Sequence, residues 1–120
     1  MADRVLAIAW GQPVRGREER GLEVFNEALG LLGRMQQDGR IESFDVCLFE
    51  PNLAVNGVVM IRGTTAQIDG LRTDEEFRRN TADALLIVED LRHTEGYINE
   101  GVARQLELYR EAVARVPQRA

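Results

Sequence analysis

The order in which hydrophobic periods succeed one another constrains this chain more than any single motif in it. Val5-Leu6-Ala7-Ile8-Ala9-Trp10 is a strand-like opening, and Arg17 to Gln37 follows with helical spacing. Two alternating runs come next, Ile41 to Glu50 and Val55 to Arg62, then a second helical stretch and a last alternating run from Asp90 to Ile98. The series is β-α-β-β-α-β. It predicts an α+β chain with one four-stranded antiparallel sheet and its helices on one face.

Local signals set the expected boundaries. In the first helix Leu22, Phe25, Leu29, Leu32 and Met35 recur at three- and four-residue steps, Val24, Ala28 and Leu31 widen the stripe, and Gly39 supplies the stop. Gly30 and Gly33 fall inside it, each costing up to about 1 kcal/mol against alanine, which close packing on a sheet would justify. Phe44, Val46 and Leu48 then alternate with Ser43, Asp45 and Cys47, so this strand has one apolar and one partly polar face. Pro51 marks where its ladder stops, and Asn56-Gly57 suits a bulge or an extended hairpin turn.

Gly63-Thr64-Thr65 opens a short helical turn through Leu71. Thr73-Asp74-Glu75-Glu76 reads as a capping box, with Thr73 as N-cap and Glu76 three residues on. Leu85-Leu86-Ile87-Val88 has the composition of a buried strand but continues the helical spacing from Phe77, and is assigned to the helix. Asn99 is expected to cap a final helix whose stripe, Val102, Leu106, Tyr109, Val113 and Val116, steps by four and three until Pro117. The chain is therefore expected to be one domain, residues 4–98 forming the core and 99–117 an added helix.

Composition narrows the function. A chain of 120 residues holds one core, and no eighteen-residue apolar run suggests a membrane span. The N-terminus has no basic segment leading into an apolar stretch, so a cytoplasmic protein is expected. All fifteen basic residues are arginine, against twenty carboxylates, for a net charge of −5. That balance argues against nucleic acid, whose binders carry a basic stripe, and the absence of lysine removes Schiff-base chemistry. Cys47, the one cysteine, cannot form an intrachain disulfide and is expected to be a buried, inert thiol.

A four-stranded sheet with helices on one face would leave an apolar patch on the other. A second copy of the chain is the economical cover. In this respect, and in its element order, the split helix after the third strand and stretches such as Gly39-Arg40-Ile41-Glu42-Ser43-Phe44 and Gly96-Tyr97-Ile98-Asn99-Glu100-Gly101, the chain resembles small bacterial proteins of the dimeric α+β barrel superfamily. The resemblance spans nearly the whole chain. It implies a ferredoxin-like protomer, a homodimer packed sheet against sheet around a cavity, and a final helix contributing to the dimer interface. It implies no single activity, since that superfamily includes cofactor-free monooxygenases, isomerases and haem enzymes.

The chemistry-bearing residues are few: one serine, one cysteine, one histidine, one tryptophan and two tyrosines. No GxSxG elbow, phosphate-binding GxxxxGK or GxGxxG occurs. His93 and Glu95 offer two ligands where a metal site needs three or four, so no metal is expected. If Phe44, Val46 and Leu48 face the helices, Ser43, Asp45 and Cys47 line the barrel interior, joined there by His93, Glu95 and Tyr97 of the last strand. Such a half-polar cavity suits a small organic ligand.

Within it His93 is the candidate acid/base, oriented by Asp45 or Glu95, without a cofactor. The plainer alternatives are a hydrogen-bonded interface histidine and an Asp45–arginine ion pair. Trp10 is placed to wall a pocket or seal the sheet edge, and Arg62 to bind a ligand carboxylate or form a surface ion pair. Two functions follow as expectations. One is a cofactor-independent enzyme acting on a small molecule; the other is a non-catalytic interaction protein whose dimer is itself the functional form.

Overall fold

Strand β1 (Arg4–Trp10) is apolar on both faces, and the sheet places it at the centre. A computed structural model, which describes residues 1–119, pairs it antiparallel with β3 (Gly57–Gly63) on one side and β4 (Arg92–Tyr97) on the other. Strand β2 (Ser43–Leu48) adds to β3, giving the order β2-β3-β1-β4, antiparallel throughout. Helix α1 (Glu18–Gln37), the short α2 (Thr65–Thr73) and α3 (Glu75–Leu85) lie over one face. A final helix, α4 (Glu100–Ala114), follows β4.

The core lies between that face and the helices. Leu6, Val59 and Ile61 of the sheet pack with Leu31, Leu32 and Met35 of α1, Ile68 and Leu71 of α2, and Phe77 of α3. On α1 the widened stripe is buried at Val24, Leu31, Leu32 and Met35, while Leu22, at the outer rim, is 65% exposed.

One helix start differs from the sequence reading. The capping box belongs to α2: the Thr64 hydroxyl accepts from the Gln67 N–H at 3.1 Å, and the Gln67 side chain accepts from the Thr64 N–H at 2.8 Å. The N-cap of α3 is Asp74, not Thr73, its carboxylate accepting from the Phe77 N–H at 2.9 Å. Thr73 still belongs to α2 and donates its hydroxyl to the Asp69 and Gly70 carbonyls. Asp74 wins because a carboxylate caps well and also pairs with Arg40 at 2.6 Å.

Helix α3 ends at Leu85, earlier than the continuous spacing implied. Ile87 is buried beyond the helix, and Val88 forms an isolated bridge with Pro13. Asn99 precedes α4 as expected but does not cap it with its side chain. Its amide donates to the Ala2 carbonyl at 2.8 Å, and its backbone holds a φ of 51°.

The α4 stripe is uncovered in the protomer. Val102, Leu106, Tyr109 and Val116 are all exposed, and only Gly101 of the helix is buried. Gly101 is required there, since a Cβ would come within 2.3 Å of the Asp3 carbonyl oxygen. A compact chain of this length would have a radius of gyration of about 14 Å. The observed 17.1 Å, with extents of 55 × 37 × 23 Å, reflects an added helix that touches the body chiefly through β4.

The shifted cap can be checked by denaturant unfolding. Asp74→Ala is expected to lower stability by about 1 kcal/mol or more, and Thr73→Ala by clearly less. Arg40 first, and then the Phe77 N–H, hold the Asp74 carboxyl below its usual range. The advantage of Asp74 over alanine is therefore present above pH 3.8 and is lost as pH falls through the lowered native value.

Candidate functional site

Pairing register decides which side chains meet. Ile8 stands opposite Val59 and His93, and Leu6 opposite Ile61 and Glu95, so His93, Glu95 and Tyr97 face the helices. Asp45 stands opposite Met60, which pairs with Ala7, which pairs with Thr94. Ser43, Asp45 and Cys47 thus lie on the open face with Arg62, Arg92 and Thr94, opposite His93 rather than beside it. The expected single cluster is two clusters on opposite faces, because the residues of β4 that share a face with Asp45 are the even-numbered ones.

On the open face Asp45 pairs with Arg62 at 2.5 Å, so the surface ion pair is the arrangement found for both. Cys47 is exposed in the protomer, contrary to the buried thiol expected, because it lies on the edge strand β2. Val58, Met60, Ala7 and Ala9 form its apolar middle.

On the helix face lies a cavity of ≈300 Å³ between the sheet, α1 and α3. It sits inside the protomer, not between two sheets as the sequence reading had it. Its wall is mostly apolar, including Ile8, Leu29, Ala28, Ala84 and Leu91, with Leu22 and Leu48 at exposed positions. Trp10 lines it rather than only sealing the sheet edge, its ring centroid 5.8 Å from that of Phe25. Gly57 makes room for this indole, since a Cβ there would lie 2.6 Å from Trp10 Cζ2.

The polar residues of the wall differ in how far they are committed. Asn80 donates to the Val24 carbonyl at 3.1 Å and Thr81 to the Phe77 carbonyl at 3.1 Å. His93 is half-buried, its ring 5.8 Å from Phe77, and among the described residues its imidazole makes no hydrogen bond. Burial, and then the positive charge of Arg72, push its pKa below the ordinary 6.5, leaving a largely neutral ring at pH 7.

Glu95 does not orient His93. Its carboxylate pairs with Arg4 at 2.8 Å and with Arg72, and the Arg4 guanidinium stacks 4.6 Å over the Tyr97 ring. Among the described residues no three His, Cys, Asp or Glu side chains gather as metal ligands would. Sequence reasoning took Ala28 and Ala84 as members of the helical stripes and not as residues of a cavity wall. Small residues within an apolar stripe were the available signal.

No family model and no curated protein sequence matches the chain. Solved structures do. A dimeric ferredoxin-like protein of unknown function from Bacteroides fragilis aligns over 79% of this chain and 96% of its own, at 14% identity and a TM-score of 0.59. A second dimeric ferredoxin-like protein of unknown function, from Jannaschia, aligns over 79% and 99% at 10% identity and 0.61. The hydroxynitrile lyase of Passiflora edulis aligns over 83% and 97% at 8% identity and 0.63. The fold is ferredoxin-like. At these identities the likeness concerns fold alone, and an activity has to be argued from the site. No helix is long and apolar enough to cross a membrane among the described residues.

The lowered His93 pKa has a testable sign. Below pH 6.5 the unfolded chain takes up a proton that the folded state resists, so stability falls as pH drops from 6.5 toward the native pKa and then levels off. Thermal melts from pH 7.5 to 5 are expected to show this loss in the wild type and a smaller one in His93→Gln.

Proposed function

We propose that the protein binds a small, mostly apolar organic molecule between the sheet and helices of each protomer, and that His93 acts on it as a cofactor-independent acid/base. The observation that carries this reading is an apolar ≈300 Å³ cavity with the half-buried, uncommitted imidazole of His93 in its wall. That volume lies within the range of small-molecule sites, which combine apolar walls with a few polar groups. A neutral imidazole can accept a proton from a bound ligand, and burial limits competition from water. Trp10 and Phe25 supply flat apolar surface for the ligand body.

The working form in this reading is a homodimer joined at the open sheet face. Four strands of about six residues give a footprint of about 400 Å², roughly half of the 800 Å² per partner of a standard interface. The exposed α4 stripe is the natural remainder, and two proteins of the same fold are dimeric. These two exposed surfaces also favour the second reading, a non-catalytic interaction module whose dimer is the functional form. The cavity distinguishes the two, since an interaction module has no need of it.

Trp10, the chain's only tryptophan, reports on the cavity. Titration with 3-phenylpropionamide is expected to change its emission saturably, and Ala28→Phe, which fills the cavity, to abolish the change. Turnover found among small ketones and phenols without added metal or cofactor is expected to fall about a hundredfold or more in His93→Ala, with probe binding retained. An unresponsive Trp10, or turnover indifferent to His93→Ala, would remove the binding or the catalytic assignment respectively. By sedimentation the wild type is expected to be a dimer at micromolar concentration, and Leu106→Glu with Tyr109→Glu to shift it toward monomer. A monomeric wild type would rule out the dimer.

A further inference from the structure

A second depression, of ≈240 Å³, adjoins the main cavity and differs from it in charge. The two share Phe77, Thr81 and His93, so they meet along one row of side chains. Beyond that row the second depression presents the guanidinium side chains of Arg72 and Arg78. This is a concentration of positive charge in a chain whose net charge is −5.

The local balance shows that the charge is available. Arg72 shares its partner Glu95 with Arg4, leaving two guanidiniums on one carboxylate. Arg78 makes no ion pair among the described residues, whereas its neighbour Arg79 is paired with Glu75 at 2.7 Å. A surface arginine without a partner is ordinary by itself. An unpaired arginine and a half-satisfied one on the rim of an apolar cavity, with the imidazole between, form a divided site.

We infer that the ligand is a small organic acid, its apolar body in the main cavity and its carboxylate on Arg78 and Arg72 beside His93. This rests on the ligand-binding reading given above. A carboxylate matches the planar guanidinium fork with two oxygens. It stays partly hydrated in the more open depression, so its charge need not be fully desolvated. The apolar body supplies affinity through burial, the arginines supply orientation, and a cationic ligand is repelled. The group held next to His93 is then the part of the molecule adjoining the carboxylate.

A matched pair of probes tests this, 3-phenylpropionate against 3-phenylpropionamide, by calorimetry and Trp10 emission. The acid is expected to bind the wild type about tenfold tighter than the amide, the scale of a charged hydrogen bond. Arg78→Gln, on an exposed helical position, is expected to remove most of that preference, and the Arg72→Gln/Arg78→Gln double variant the rest, with amide binding unchanged. Arg79→Gln should leave both probes unaffected. Equal binding of acid and amide, or a preference that survives in the double variant, would overturn the anion subsite while leaving the cavity reading intact. Failure of both probes to bind the wild type would overturn both.

Discussion

Everything in this protomer depends on the antiparallel register of β1 between β3 and β4. Because side chains alternate across a strand, setting Ile8 against Val59 and His93 commits every residue of the sheet to one of two faces. The Leu6 face meets the helices and forms the core. The Ala7 face, with Met60, Asp45 and Cys47, is open toward the β2 edge, while Val5 at its other end is buried. A slip of one residue would place Arg62 in the core and expose Ile61, so burial itself pins the register.

The cavity follows from the same packing. Helices α1 and α3 cover the sheet with large side chains, Leu32, Met35 and Phe77, and the cavity wall includes small ones, Ala28 and Ala84. Trp10 and Gly57 act as a unit at this end of the sheet, the missing Cβ of one accommodating the ring of the other. His93 occupies the wall because β4 is an edge strand, lying only partly under α3. The position leaves the imidazole dry enough to lower its pKa and open enough to be reached.

Arginine, the chain's only basic residue apart from His93, is used in shared arrangements. Arg20 reaches Glu23, Glu27 and Asp83, tying α1 to α3, and Glu95 holds both Arg4 and Arg72. At exposed positions such pairs contribute little stability, about 0–1 kcal/mol each. Their consequence here is one of position, because Glu95 ties β4 to α2 through Arg72 and to β1 through Arg4. The same sharing leaves positive charge in excess beside His93.

Periodicity alone determined the element order, the one-faced helical layer, the hairpin of β2 and β3, and the presence of a final amphipathic helix. These depend on local spacing, which each segment carries in itself. Trp10, Arg62 and Asp45 were legible as candidates by type and not by role. Whether Asp45 could meet His93 depended on three successive strand pairings, and no local pattern encodes the sum of those registers. The cap of α3 was misread by one residue because Thr73 and Asp74 are both good caps. Only the tertiary position of Arg40 and the length of α2 chose between them. The cavity, its place on the helix side, the exposure of Cys47 and the α4 stripe, and the convergence of Arg72 and Arg78 on His93 were decided by packing. They are relations between surfaces that come together only when the chain folds.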